Sequence, residues 1–124
     1  MKYLFDSNMI IRAVLGIGDP LRAHLAACDE GDIVTSSIAY AEVAYGSVRG
    51  KAPAFDKLQA FIEEVEILPF DHKAARAYAT LPFRRASYDR LIAAHALSEG
   101  LTVITDNLAY FSGIIGLKVE NWTQ

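Results

Sequence analysis

The sequence predicts an α/β fold, a parallel sheet of four to five strands with helices on both faces, in one domain over residues 1–124. Two observations carry this. Short apolar runs of strand length alternate with longer segments of helical periodicity, the order that builds a parallel sheet from βα units. The 124 residues are 52% hydrophobic and 22% charged, enough to bury one core without disulfides or a structural metal. There is no repeat, no low-complexity tract and no linker-like stretch.

The elements follow in order. Lys2-Tyr-Leu-Phe is an apolar run ending at Asp6 and reads as a buried strand. A helix follows from about Asn8 to Leu15, stopped in the Gly16–Gly18 region. Pro20 suits the first turn of a second helix, which Gly31 ends. Asp32-Ile-Val-Thr is the second strand, and Ser36 or Ser37 caps a third helix running to about Val48. Ala54 to Val65 has Phe55, Leu58, Phe61, Ile62 and Val65 at helical spacing. Ile67-Leu-Pro-Phe is a short third strand, its proline favouring an edge or a strand end. His72 to Thr80 is helical, the chain turns at Leu81-Pro82, and Ser87 or a neighbour caps a helix ended by Gly100. Leu101–Thr105 and Leu117–Val119 are the last strands.

Composition narrows the function classes. A single cysteine, Cys28, excludes an internal disulfide framework and a multi-cysteine zinc site, and points to the reducing cytoplasm. Asp6, Ser7, Asn8 and Arg12 interrupt the apolar N-terminus, and no window reaches the roughly 18 apolar residues of a membrane span, so no membrane partner is expected. Twelve Lys and Arg against fifteen Asp and Glu give a net charge of -3, which disfavours a passive nucleic-acid binder. An enzyme that reaches phosphates through cations held on its own carboxylates stays open. Lys73, Arg76, Arg84, Arg85 and Arg90 cluster between His72 and Arg90 with Asp89 as the only acid there. This is either a solvated face or a rim that contacts phosphates.

Three acids stand where strands end or helices begin, and a fourth lies inside a helix. Asp6 directly follows the first strand, where an N-cap role would also suit it. Glu42 lies on the third helix about 40° from Ile38, bordering an apolar side expected from Ile38, Ala41, Ala44, Tyr45 and Val48. Asp89 opens its helix over Ile92, Ala93 and Ala96 at i+3, i+4 and i+7, while Arg90 is expected to point away. Asp106 and Asn107 follow the fourth strand, in a pair that also makes good turn chemistry. In parallel sheets functional groups collect at the carboxyl ends of the strands. Carboxylates converging there repel one another unless a cation intervenes. Oxygen ligands with few histidines favour Mg²⁺ or Mn²⁺ over zinc. Elsewhere His95 reads as a satisfied flank residue, Cys28 as a small buried hydrophobe, and Tyr40, Tyr45, Phe55, Phe61, Tyr78 and Phe111 mainly as core.

At these residues the chain resembles the PIN-domain family, and within it the VapC-type ribonuclease toxins. Phe5-Asp-Ser-Asn resembles the family's opening Asp-Thr-Asn, with Ser7 for the usual Thr. Residues 41–46 (AEVAYG) resemble its Glu-x-x-x-Gly helix, and residues 88–97 (YDRLIAAHAL) its most characteristic stretch. Residues 105–111 (TDNLAYF) resemble the closing Thr-x-Asn/Asp element, and residues 116–122 (GLKVENW) the tail. Five elements in order cover essentially the whole chain. The resemblance implies a metal-dependent endoribonuclease acting on RNA, with a small DNA-binding antitoxin as partner and a homodimeric assembly. It carries the family's acids onto Asp6, Glu42 and Asp89. In the fourth position the family register points to Asn107, which is not an acid, while Asp106 occupies the variable position. Asn8 and Asn107 are auxiliary candidates, and Arg84, Arg85 and Arg90 a rim for RNA or antitoxin. The stretch from Tyr78 to Asp89 is shorter than is usual in the family.

Two other readings compete. A PIN-like scaffold could bind RNA or a protein without cutting, which the missing fourth acid would motivate. A phosphatase-like fold could use Asp6 as nucleophile, but that chemistry wants a second acid two residues on, where Asn8 stands.

Overall fold

Strand β1 (Tyr3–Phe5) lies at the centre of a five-stranded parallel sheet of order β3-β2-β1-β4-β5. The computed structural model describes residues 1–124. The partners of β1 are β2 (Ile33–Ser36), with Leu4 opposite Val34, and β4 (Thr102–Ile104), with Leu4 opposite Val103. The outer strands are β3 (Glu66–Leu68) and β5 (Lys118–Glu120). Proline at position 69 follows β3, an edge strand, as a residue without an N–H requires.

Successive strand residues point to opposite sides of a sheet. Leu4 and Phe5, Val34 and Thr35, and Val103 and Ile104 are all buried, so both faces of the three central strands are covered. The cover comes from six helices: α1 (Ser7–Leu15), α2 (Asp19–Ala26), α3 (Ser37–Val48), α4 (Phe55–Ile62), α5 (His72–Ala79) and α6 (Tyr88–Glu99). A cluster of 19 buried apolar residues joins them to the sheet and reaches Trp122, whose ring meets Tyr3 and Phe5 edge-on and stacks on His24. The C-terminus is thereby packed against the first strand.

Local chemistry sets the helix ends. Ser36, Asp71 and Ser87 cap α3, α5 and α6 by accepting backbone N–H bonds. Gly16 and Gly100 close α1 and α6 in the left-handed conformation, at φ 68° in both cases. Helix α4 ends at Ile62, not Val65, because the amides of Glu64 and Val65 both turn back to the Phe61 carbonyl and β3 starts at Glu66.

Helix α3 differs more from expectation. Its buried residues are Ala39, Val43 and Ser47, whereas Tyr45 and Val48 are exposed. The buried side is thus rotated by more than a third of a turn from the one centred on Ile38, Ala41 and Tyr45. Eight of its twelve residues are apolar and they fall on both sides, so periodicity offered two candidate faces and packing on α1, α4 and α6 selected one. Phe55 is also exposed rather than core.

The chain runs from β1 through β2 to β3 on one side of β1, then crosses to β4 and β5 on the other. This reversal puts a crevice above the carboxyl ends of β1 and β4, where open parallel sheets bind ligands.

Candidate active site

Asp6 is the first residue beyond β1 and only 4% exposed. Its Oδ1 accepts from the Met9 amide at 3.0 Å, so it does cap α1, and its own amide donates to the Ile104 carbonyl at 3.2 Å. The cap fixes the side chain of Asp6 at the carboxyl end of β1 and leaves its other oxygen outside the cap. Burial pushes the Asp6 carboxyl up to about 6, with Asp106 and Asp89 adding repulsion and the Thr105 hydroxyl and Met9 amide opposing them.

Glu42 sits about 100° around α3 from the centre of its buried side, at the edge facing the crevice. Its Oε1 is buried and has no hydrogen-bond partner. Burial and then Asp89 raise its carboxyl, while Ser7 lowers it. Asp89, in the first turn of α6, stands above the fully buried Ile92, Ala93 and Ala96, as the spacing required. Burial raises its carboxyl as well. Three acids from three separate elements thus share one under-neutralised region.

Asp106 joins them from beyond β4. Both of its oxygens are engaged, Oδ2 by Arg12 Nε at 3.2 Å and Oδ1 by Asn8 Nδ2 at 3.4 Å. Asn107 forms its bond through the backbone, its amide donating to Thr105 Oγ1 at 3.0 Å. Arg12 was not among the residues singled out from the sequence. The signal was available: Asn8 and Arg12 are four apart on α1 and so share a face.

Arg90 requires a correction. It is 7% exposed and does not point away from the core; its guanidinium donates to the Pro82 carbonyl at 2.5 Å. It braces the loop before α6 and cannot form part of a solvent-facing rim. Arg84 and Arg85, in that loop, are exposed. His95 is likewise no flank residue. It is fully buried, with Nδ1 on Ser36 Oγ at 2.8 Å, Phe70 edge-on at 5.5 Å and Nε2 without a partner. Burial holds its pKa below the usual histidine value. Cys28 is half-buried and far from these groups in the fold.

No three His, Cys, Asp or Glu side chains stand close enough to form a ready chelate. The donor set nonetheless fits a hard divalent cation. The buried Glu42 Oε1 has no partner, burial raises three carboxyls whose charged forms a cation would favour, and every donor is oxygen. Arg12 is already committed to Asp106, and Lys51, which lines a cavity with Glu42, forms no ion pair with it.

Comparison with known proteins agrees with this geometry. The PIN domain family model matches residues 3–112. The tRNA(fMet)-specific endonuclease VapC of Salmonella typhimurium is 30% identical, over 98% of both chains. Ribonuclease VapC2 of Rickettsia felis is 31% identical over the whole of both. Among solved structures, VapBC2 from Rickettsia felis bound to a DNA fragment from their promoter superimposes with TM-score 0.86 at 30% identity, covering 98% of this chain and 99% of that one. VapBC-1 from nontypeable Haemophilus influenzae gives 0.84 at 25% identity over the full length of both. The acids beyond β1 and β4 and on α3 and α6 therefore stand in a known architecture, and the chain belongs to the PIN-domain family, in its VapC branch.

Proposed function

We propose that the chain, acting as one domain over residues 1–124, is a metal-dependent endoribonuclease and the toxin of a toxin–antitoxin pair. The carrying observation is the buried, unpartnered Glu42 Oε1 facing the same crevice as Asp6 and Asp89. Asp6, Glu42 and Asp89 would hold Mg²⁺ or Mn²⁺, which when bound supplies an activated water and neutralises the phosphodiester.

The remaining roles belong to the chain itself. Asp6 is oriented by the Met9 amide, so its geometry is set before substrate arrives. Burial raises the Glu42 carboxyl above its usual value, which makes it a better proton acceptor than an exposed glutamate. Asn8 and Arg12 hold Asp106 by both oxygens, which supports Asp106 rather than Asn107 as the fourth acidic group, with Asn107 an auxiliary amide. Arg84 and Arg85 are free to meet RNA phosphates or acidic groups of an antitoxin.

The partner is a cognate antitoxin, supported by the VapBC complexes among the matching structures; we infer a homodimeric assembly from the family resemblance alone. The place of action is the cytoplasm; no helix is long and apolar enough to cross a membrane. The test is growth arrest on expression together with cleavage of RNA by the purified protein in Mg²⁺. Asp6→Asn and Asp89→Asn should each lose cleavage by orders of magnitude while remaining folded. Cleavage at the unmodified rate by either variant would overturn the site.

A further inference from the structure

Helix α6 carries Asp89 and helix α3 carries Glu42, and a side-chain hydrogen bond joins α6 to the cap of α3. His95 of α6 is fully buried, and its Nδ1 lies 2.8 Å from the hydroxyl of Ser36, which is fully buried too. That hydroxyl caps α3 by accepting the Ile38 amide at 3.1 Å. One oxygen thus serves both helices. The residues on either side of Ser36 are tied elsewhere. The Thr35 hydroxyl donates to the Phe5 carbonyl at 2.8 Å, beside Asp6, and the Ser37 hydroxyl accepts the Phe70 amide at 3.0 Å. Phe70 in turn meets the His95 ring edge-on at 5.5 Å.

The two acids stand at equal offsets from this bond. Glu42 is six residues beyond Ser36, and Asp89 is six residues before His95. At 1.5 Å per residue, each lies about 9 Å along its helix from the bond. There the helices carry like charges toward one another, and Asp89 adds to the rise of the Glu42 carboxyl. Two carboxylates push their helices apart until a cation arrives. Apolar packing has no preferred direction and resists a small slide weakly, whereas a hydrogen bond has a length and an angle. A core filler would need no polar atom here. The imidazole leaves its Nε2 buried without a partner, a cost that a leucine would not incur.

We propose that His95 is a positioning residue of the nuclease site, which through Ser36 sets the spacing of Glu42 and Asp89 for the cation they share. The proposal rests on the nuclease reading of the acid cleft and adds to it what keeps two of the acids in register.

The probe is Mn²⁺ alone, titrated calorimetrically into the protein without RNA. His95→Leu should raise the Mn²⁺ dissociation constant about ten- to a hundred-fold, the effect of removing a group that orients metal ligands. Asparagine can place a polar atom where Nδ1 stands, so His95→Asn should recover most of the affinity. Ser36→Gly removes the same bond from its other end and keeps a residue that caps helices. It should match His95→Leu, and the double variant should be no weaker than the weaker single variant. In cleavage assays kcat should fall while KM for RNA stays, because His95 touches no substrate. Melting in EDTA identifies the folded variants, and Ser36→Gly carries the test where His95→Leu does not fold. Folded His95→Leu and Ser36→Gly proteins that bind Mn²⁺ and cut RNA like the natural protein would overturn the positioning role and leave the nuclease reading standing. A loss that His95→Asn does not recover, with Ser36→Gly unaffected, would assign His95 to packing and would also overturn it. A natural protein that neither binds Mn²⁺ nor cuts RNA would overturn both readings.

Discussion

Asp6 is held in a way that favours the site over the stability of the chain. Its folded-state pKa of about 6 lies above the unfolded value of 3.8, so the folded chain binds this proton more tightly. Its contribution is therefore most favourable below about pH 4, is lost as pH rises through 4 to 6, and stays lost above that. At about 1.4 kcal/mol per pKa unit the loss is on the order of 3 kcal/mol. Asparagine also caps helices well, so Asp6→Asn should keep the bond to Met9 while removing the penalty. In EDTA at pH 7 it should melt higher than the natural protein, and the difference should vanish near pH 4. Equal melting at both pH values would refute this account of the buried charge. Arg12 gives a second test at the same scale. Because Arg12 and Asn8 occupy both oxygens of Asp106, Arg12→Met should free this acid and lower the Mg²⁺ concentration needed for half-maximal cleavage. Asp106→Ala should raise it several-fold. If Asn107→Ala alone raised it, the fourth position would be an amide and not Asp106.

Between elements, the loop from Leu81 to Ser87 separates two kinds of arginine that look alike in sequence. Arg90 is buried against the Pro82 carbonyl, and Arg90→Ala should cost about 1–3 kcal/mol by leaving that acceptor without its donor. Arg84 and Arg85 are exposed, and replacing both with Ala should change stability by no more than about 0.5 kcal/mol. The double variant should instead flatten the salt dependence of RNA binding, by roughly 0.7 in log-log slope for each lost phosphate contact on a single strand. An unchanged slope would return both residues to the role of solvated surface. This contrast also marks what could be read from the sequence. The alternation of strands and helices, the serine and glycine helix ends, and the places of Asp6 after β1 and Asp89 at the start of α6 follow from local chemistry and periodicity, which the chain carries residue by residue. Burial of Arg90 depends on a carbonyl eight residues away in an irregular loop, which no period encodes. The exposed side of α3 was hidden for a different reason. A helix with apolar residues on both sides gives no clear phase, and packing on α1, α4 and α6 decides which side faces solvent. The engagement of Asp106 by Arg12 spans 94 positions and needs β4 to lie beside β1.

At the scale of the whole molecule, the acids come from segments far apart in the chain, at Asp6, Glu42, Asp89 and Asp106, and only the completed sheet brings them to one crest. An unfolded chain cannot hold a cation this way. Binding is therefore coupled to folding: a cation at about 100 times its dissociation constant should stabilise the fold by about 2.7 kcal/mol. For a domain of this size that corresponds to roughly 10 °C or more in Tm. The gain should depend on pH with a definite sign. The cation must displace the proton that Asp6 holds up to about pH 6, and burial raises Glu42 and Asp89 as well. Below pH 6 protons compete with the metal and the Mg²⁺-induced rise in Tm should shrink, approaching zero near pH 4. Asp6→Asn should show little rise at any pH. Arg84→Ala with Arg85→Ala, far from the carboxylates in role, should show the full rise. Scanning calorimetry of the three proteins with Mg²⁺ and with EDTA at pH 5, 6 and 7.5 decides it. A rise independent of pH, or one that survives in Asp6→Asn, would mean that the cation binds somewhere other than the crest where β1 and β4 end.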